Sequence, residues 1–171
     1  MNRRAGVVTA VVEEVHAAQG RVRVEYRGIE QSLLSPWAYI AAPMSGRGRG
    51  ALFMPEPGDE VLVCFGDGDF AHPYVVGFLW NGEQTSPETE AHNRVIVTPG
   101  GHQLRFEDKP GAKKVIVKSD GGLAITMDDA TKSIEIKAGS LTVRMDDRQS
   151  FIEIIGGGRA VTMRNSQVTI T

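Results

Sequence analysis

Hydrophobic and polar residues alternate along most of this chain with the two-residue period of β-strands, and almost nothing carries a helical period. In the first half the pattern predicts five short strands. Residues 6–12 form one candidate. Residues 21–26 form a second, with Val22, Val24 and Tyr26 on one face. Residues 37–40 follow Pro36. Residues 60–65 follow the turn signal Pro57-Gly58-Asp59, and residues 73–79 run into Asn81-Gly82, a strong turn dipeptide. Five short strands separated by turn residues fit a five-stranded Greek-key barrel of the OB type.

The second half repeats itself. Leu123-Ala-Ile-Thr-Met-Asp-Asp129 returns 18 residues later as Leu141-Thr-Val-Arg-Met-Asp-Asp147, and 160–165 is a weaker third copy. Ser133-Ile-Glu-Ile-Lys137 returns at the same shift as Phe151-Ile-Glu-Ile-Ile155, then degrades to Val168-Thr-Ile-Thr171. Residues 103–108 and 114–118 read as an earlier copy. Each unit is a strand, a turn, a second strand and another turn. Alternation gathers Leu123, Ile125, Met127, Ile134, Ile136, Leu141, Val143, Met145, Ile152, Ile154, Val161 and Met163 on one side, continuing the row begun by Leu104, Phe106, Val115 and Val117. The other side is largely Thr, Glu, Lys and Arg.

Such a ladder cannot cover its apolar face alone. Three identical chains around a common axis would solve the problem, with the inward rows packed against each other and strand edges paired by neighbouring chains. Eight or so strands stacked at about 4.8 Å give a prism of roughly 40 Å. A β-sandwich of hairpins or a monomeric solenoid are the alternatives. The expected class is therefore all-β: an N-terminal OB-fold barrel followed by a C-terminal trimeric, intertwined β-helix needle.

Composition places the boundary. All eight prolines lie at or before Pro110. Residues 1–90 carry seven arginines and no lysine against twelve carboxylates, a net of −5, whereas residues 91–171 come to +3. The polar segment 84–93 lacks a strong strand signal, so the expected division is a barrel at 1–83, a linker at 84–102 and the repetitive domain at 103–171. No apolar run approaches the roughly 20 residues of a membrane-spanning helix. The first residues contain two arginines but no apolar core of a signal peptide, since Glu13 and Glu14 interrupt it, which points to assembly in the cytoplasm. One cysteine, Cys64, excludes an internal disulfide and a cysteine-based zinc site.

Candidate chemistry is sparse. Gly46-Arg-Gly-Arg-Gly50 could cradle a phosphate, but it opens no helix and reads as a loop at the barrel rim. Asp67 and Asp69 could hold a cation or act as an acid/base pair, but they sit in a Gly-Asp turn. Asp128-Asp129 and Asp146-Asp147 recur at one turn and read as turn chemistry. Cys64 alternates with its neighbours in a strand and reads as packing. Trp37 and Trp80 could stack on bases, but the barrel half is acidic and should repel phosphate. No catalytic, metal or cofactor site is expected.

The stretch 37–63, then Asp67-Gly-Asp-Phe-Ala-His-Pro-Tyr-Val-Val-Gly77 and Leu79-Trp-Asn-Gly82, resembles the OB domain of contractile-tail spike proteins. These are the phage baseplate assembly protein V family and the valine-glycine-repeat spikes of type VI secretion. The match runs across most of residues 6–82, and the repeated β domain follows where the family places its trimeric needle. The resemblance implies a non-enzymatic central spike of a phage tail, tailocin or other contractile injection machine, piercing a target envelope at the tip of the tail tube. A nucleic-acid-binding OB protein with an oligomerising tail is the alternative.

The resemblance also implies partners. Larger members carry a hub ahead of the barrel, and some insert a lysozyme between barrel and needle. About 20 residues separate Gly82 from Gln103, too few for a muramidase. A stand-alone spike with a separate hub or tube protein is expected, with Arg47 and Arg49 as hub contacts. Short phage spikes can bind a metal at the tip through His-x-His pairs. Here the histidines are His16, His72, His92 and His102. A blunt β end at Val168, Ile170 and Thr171 is expected instead to dock a small cap protein of the proline-alanine-alanine-arginine repeat class. The target membrane is met only transiently, and no nucleic acid is expected.

Overall fold

The computed structural model describes residues 6–27 and 33–171; the two arginines near the amino terminus lie outside them. The chain divides into two compact units, residues 1–85 and 86–171.

The first unit holds β1 (Val7–His16), β2 (Arg21–Tyr26), β3 (Ala38–Ile40), β4 (Ser45–Gly46), β5 (Arg49–Gly50), β6 (Glu60–Phe65) and β7 (Pro73–Phe78). Five of these close into a barrel in the order β1-β2-β3-β7-β6. Only β3 and β7 run parallel; the other barrel pairs are antiparallel. The period-2 alternation turns Ala10, Val12, Val22, Val24, Tyr26, Ala38, Val61, Val63, Phe65 and Val75 into the interior, where all are buried. Val22, Val24 and Tyr26 share a face as their spacing requires. Register shifts at Val12/Glu14 and at Leu62/Val63 bend two strand pairs, which lets so few strands close. The buried Ser35 hydroxyl is satisfied: it accepts from the Val24 N–H at 2.9 Å and donates to the Pro36 carbonyl at 2.7 Å. β1 runs four residues past the expected 6–12, because pairing with β2 resumes beyond the bulge even though Glu13 and Glu14 face solvent.

The second unit is one antiparallel sheet of nine strands in sequence order: β8 (Arg94–Val97), β9 (Gln103–Glu107), β10 (Lys114–Lys118), β11 (Ala124–Asp128), β12 (Ser133–Ala138), β13 (Leu141–Asp146), β14 (Phe151–Gly156), β15 (Arg159–Arg164) and β16 (Gln167–Ile170). The 18-residue repeat is thus a hairpin, two strands and two turns. Lys132 and Ser150 occupy equivalent turn positions with φ of 57° and 50°. Asp128 and Asp146 accept backbone N–H groups at those turns, from Ala130 and Thr131 and from Gln149.

Two features differ from the sequence expectations. The stretch 84–102, expected as a linker, contains β8, which pairs with β9 from Arg94↔Phe106 to Val97↔Gln103. Its run Val95-Ile-Val97 is β-branched and short enough to pass unnoticed beside the polar segment before it. Strand edges were expected to be paired by neighbouring chains. Instead β9 to β15 are hydrogen-bonded on both edges within the chain, because each turn is short enough to return the next strand antiparallel. Among the described residues, only the outer edges of β8 and β16 remain open in this sheet.

Candidate functional site: an uncovered apolar sheet face

Cross-strand register decides which side chains meet. One row runs Ile96, Leu104, Val117, Ile125, Ile136, Val143, Ile154, Val161, Ile170. A second, parallel row runs Phe106, Val115, Met127, Ile134, Met145, Ile152, Met163, Val168. Both lie on one face. Leu141, opposite Ala138, adds to the same face, and Leu123 immediately precedes β11.

The burial of this unit is inverted. Every fully buried apolar side chain among the described residues belongs to the barrel. In the sheet, Ile125 is 40% exposed, Ile154 51% and Ile170 73%, while Asp146 on the polar face is only 4% exposed. Along β11, Ile125 and Met127 are exposed between the half-buried Ala124, Thr126 and Asp128, and along β12, Ile134 and Ile136 are exposed beside the half-buried Ser133 and Glu135. An isolated soluble chain does not leave two continuous apolar rows in water. The twelve expected axis residues all fall on this face. Val168 and Ile170, expected as tip contacts, continue the same two rows. Ile96 of β8, in the stretch expected as a linker, begins one of them.

The polar face is held by its own ion pairs. Arg105 meets Glu88 at 2.6 Å and Glu107 at 3.0 Å; Lys114 meets Asp128 at 3.4 Å, and Arg144 meets Asp146 at 2.9 Å. Glu88 accepts N–H groups from Thr89, Glu90 and the Asn93 side chain. These hydrogen bonds, foremost that of Glu90, with the Arg105 guanidinium, hold its carboxyl below the usual range. Asp128 is lowered as well, chiefly by the Thr131 N–H and by Lys114. Arg144 and Arg164 flank the Phe151 ring at 5.6 and 4.9 Å.

The other expected sites are scattered. Arg47 and Arg49 lie on the exposed β4–β5 hairpin, where Gly48 takes a φ of +68°. Thr171 exchanges both backbone hydrogen bonds with Ala160, so antiparallel alternation leaves the backbone groups of Val168 and Ile170 on the open edge of β16. Asp69 accepts the Ala71 N–H and pairs with His72 at 3.4 Å, and Asp67 has a left-handed φ of 52°, so both shape one turn. Cys64 is half-buried between the inward Val63 and Phe65.

Comparison with known proteins follows this division. A family model described as the type VI secretion system/phage-baseplate injector OB domain matches residues 4–80. One described as the phage baseplate V C-terminal trimerisation domain matches residues 93–171. Among curated relatives, the type VI secretion system spike protein VgrG4b of Pseudomonas aeruginosa is 33% identical over 131 residues, 66% of this chain and 16% of the relative. VgrG1c of the same organism is 29% identical over 162 residues, 76% of this chain and 22% of the relative. VgrG3 of Vibrio cholerae is 28% identical over 130 residues, 66% of this chain and 12% of the relative. The chain thus spans less than a quarter of the length of these relatives.

Proposed function

On the premise that the chain belongs to the phage-baseplate and type VI secretion spike family, as both halves do by their matches, we propose that it forms the homotrimeric central spike of a contractile injection machine. The observation that carries this reading is the uncovered apolar face of the nine-stranded sheet, in a segment that matches a trimerisation domain.

The dimensions suit a three-walled prism. Strands of five or six residues make a wall roughly 17–20 Å wide. Three such walls around an axis leave about 5–6 Å from wall to axis, the reach of one Ile, Leu or Met side chain. The twelve axis residues leave on the order of 900 Å² of apolar surface uncovered per copy, against about 800 Å² per partner in an ordinary stable interface. Nine strands at about 4.8 Å give a shaft of roughly 40 Å.

In this reading the shaft is a puncturing element with no catalytic role, carried as part of a phage tail or injection particle assembled in the cytoplasm. A separate hub or tube protein engages the barrel, and a cap protein engages the open edge of β16 through Val168 and Ile170. Two sheets packed face to face at about 10 Å would also cover the rows, so the stoichiometry is the test. Native mass measurement of the purified chain should give three times 18.5 kDa. A monomer or a dimer overturns the prism.

A further inference from the structure

The barrel carries a second uncovered apolar surface. The strap 41–54, with the β4–β5 hairpin in it, and the outer faces of β3 and β7 form a groove of about 1070 Å³. Tyr39, Met44, Leu52, Phe53, Val76 and Phe78 line it, with Leu52 69% and Phe53 54% exposed. Its charge is one-sided. Among the described residues no carboxylate lines it, and residues 37–55 contain none, although the first 90 residues hold twelve. The cations Arg47 and Arg49 stand on its hairpin, and Arg21 lies 4.2 Å over the Tyr39 ring.

The complementary surface is on the same barrel. Glu13, Glu56 and Glu83 are exposed, and Asp59 is half-buried among them. Backbone hydrogen bonds between Val12 and Asp59 and between Gly58 and Val12 bring the bulge in the middle of β1, next to Glu13, to the 55–59 turn. Gln84 binds Asp59 Oδ1 at 3.2 Å and brings the 81–84 turn there too. This acidic cluster sits at the start of β6, which neighbours β7 in the barrel order, so groove and cluster occupy adjoining sides.

Threefold assembly makes every contact head-to-tail: one surface of each copy meets a different surface of the next. A ring of three needs those two surfaces on adjoining sides, whereas opposite sides would build an open chain. We propose that the groove of each barrel receives the acidic 55–59 turn of the neighbouring copy, closing a ring of three barrels. Arg47 and Arg49 then face Glu56 and Asp59 across the rim while Leu52 and Phe53 are covered. The strap is thereby assigned to a second copy of this chain, with a separate hub left to the rest of the barrel. The inference rests on the trimer proposed above. That trimer supplies the symmetry and raises the effective concentration of barrels for one another.

The test is cross-linking of the full chain. In a Cys64→Ala background, Arg49→Cys and Glu56→Cys are introduced together and singly, and treated with a short bismaleimide. The double variant should yield covalent trimers on a denaturing gel, and neither single variant should cross-link. Adding Phe53→Ser should cut the yield about tenfold, as expected for loss of an aromatic anchor. Light scattering on each sample separates the two claims. A monomer refutes the trimer and the ring with it. A trimer that does not cross-link refutes the ring alone and leaves the groove for another protein. Dimers from either single variant indicate a twofold contact and overturn the head-to-tail assignment.

Discussion

Replacing Ile136 by Asp tests the apolar face most directly. Ile136 lies mid-sheet on β12, opposite Ile125 and Val143, and is 41% exposed in the single chain. Covering that remainder removes about 75 Å² from water, worth about 2 kcal/mol per copy. Aspartate forfeits this gain and places three carboxylates near the axis, each costing several kcal/mol to desolvate and repelling the others. Assembly should therefore weaken by roughly 10 kcal/mol per trimer at neutral pH. The sign of the pH effect follows. The carboxyl titrates near 3.9 in the exposed protomer and is raised in the trimer. Assembly is thus least affected below about pH 4 and is lost as pH rises above it, by about 1.4 kcal/mol per unit per carboxyl. Light scattering at pH 4 and pH 7 should show recovery of trimer at the lower pH. Ile136→Asn, uncharged at both, should show no such recovery. An Ile136→Asp protein that stays fully trimeric at pH 7 in dilute solution would refute the burial of this face.

Other outcomes follow from single contacts. Glu88 and Asp128 have lowered pKa values, so the stability they add is complete above about pH 4.5 and is lost as pH falls through their folded values. The protection of the Thr89 and Glu90 amides against hydrogen exchange, taken relative to the intrinsic rate at each pH, should fall there, and Glu88→Gln should remove that dependence. Gly156→Ala puts a Cβ 2.6 Å from the terminal Cδ2 of the half-exposed Leu141 and should lower the melting temperature only slightly, by the cost of turning that side chain aside. In a Leu141→Ala background the added penalty should largely disappear, and equal penalties in both backgrounds would show that the two positions do not collide. Deleting residues 160–171 removes β15 and β16 but leaves β8 to β14 paired, so the shortened chain should remain trimeric while losing affinity for a cap protein; full cap binding would place the docking surface elsewhere. The purified protein should neither clear peptidoglycan nor bind single-stranded DNA with sub-micromolar affinity at physiological salt, and either activity would contradict a mechanical role.

Local alternation made most of the strands legible. The spans 21–26 and 60–65 coincide with β2 and β6, because each inward residue there is a Val, Tyr or Phe and the runs are bounded by turn residues. The apolar rows were legible for the same reason: an 18-residue repeat with period-2 alternation allows little freedom of register. Three features were not. β8 carries four residues and no inward row of its own beyond Ile96 and Arg94. Pairing partners depend on turn length, which sequence periodicity does not report, so edges were assigned to other chains when the short turns close them in-chain. The barrel groove was hidden because its far wall, β7, is distant in sequence from the contiguous β3 and strap. Its one signal in the sequence is an acid-free stretch, residues 31–55, within an acidic half.

The pairing scheme also assigns the mechanical load. Consecutive strands are linked by hydrogen bonds that run along the stacking direction, which in the proposed spike is the shaft axis. Compression along that axis is then carried inside each chain, by the ladder and the turns that join its strands. Copies meet through apolar rows, which resist separation without fixing the strands vertically. The two functions can therefore fail separately. A substitution on the apolar face such as Ile136→Asp should dissociate the copies and leave the turns of β11–β14 able to form. A substitution at a turn carboxylate such as Asp128→Ala, which loses the Ala130 and Thr131 hydrogen bonds and the Lys114 pair, should weaken one hairpin while the rows still draw three copies together. Chemical denaturation followed at once by light scattering and circular dichroism should resolve these as different orders of loss. Coincident transitions in both variants would mean that each wall folds only when the prism assembles, the behaviour of an obligate oligomer whose stability depends on protomer concentration.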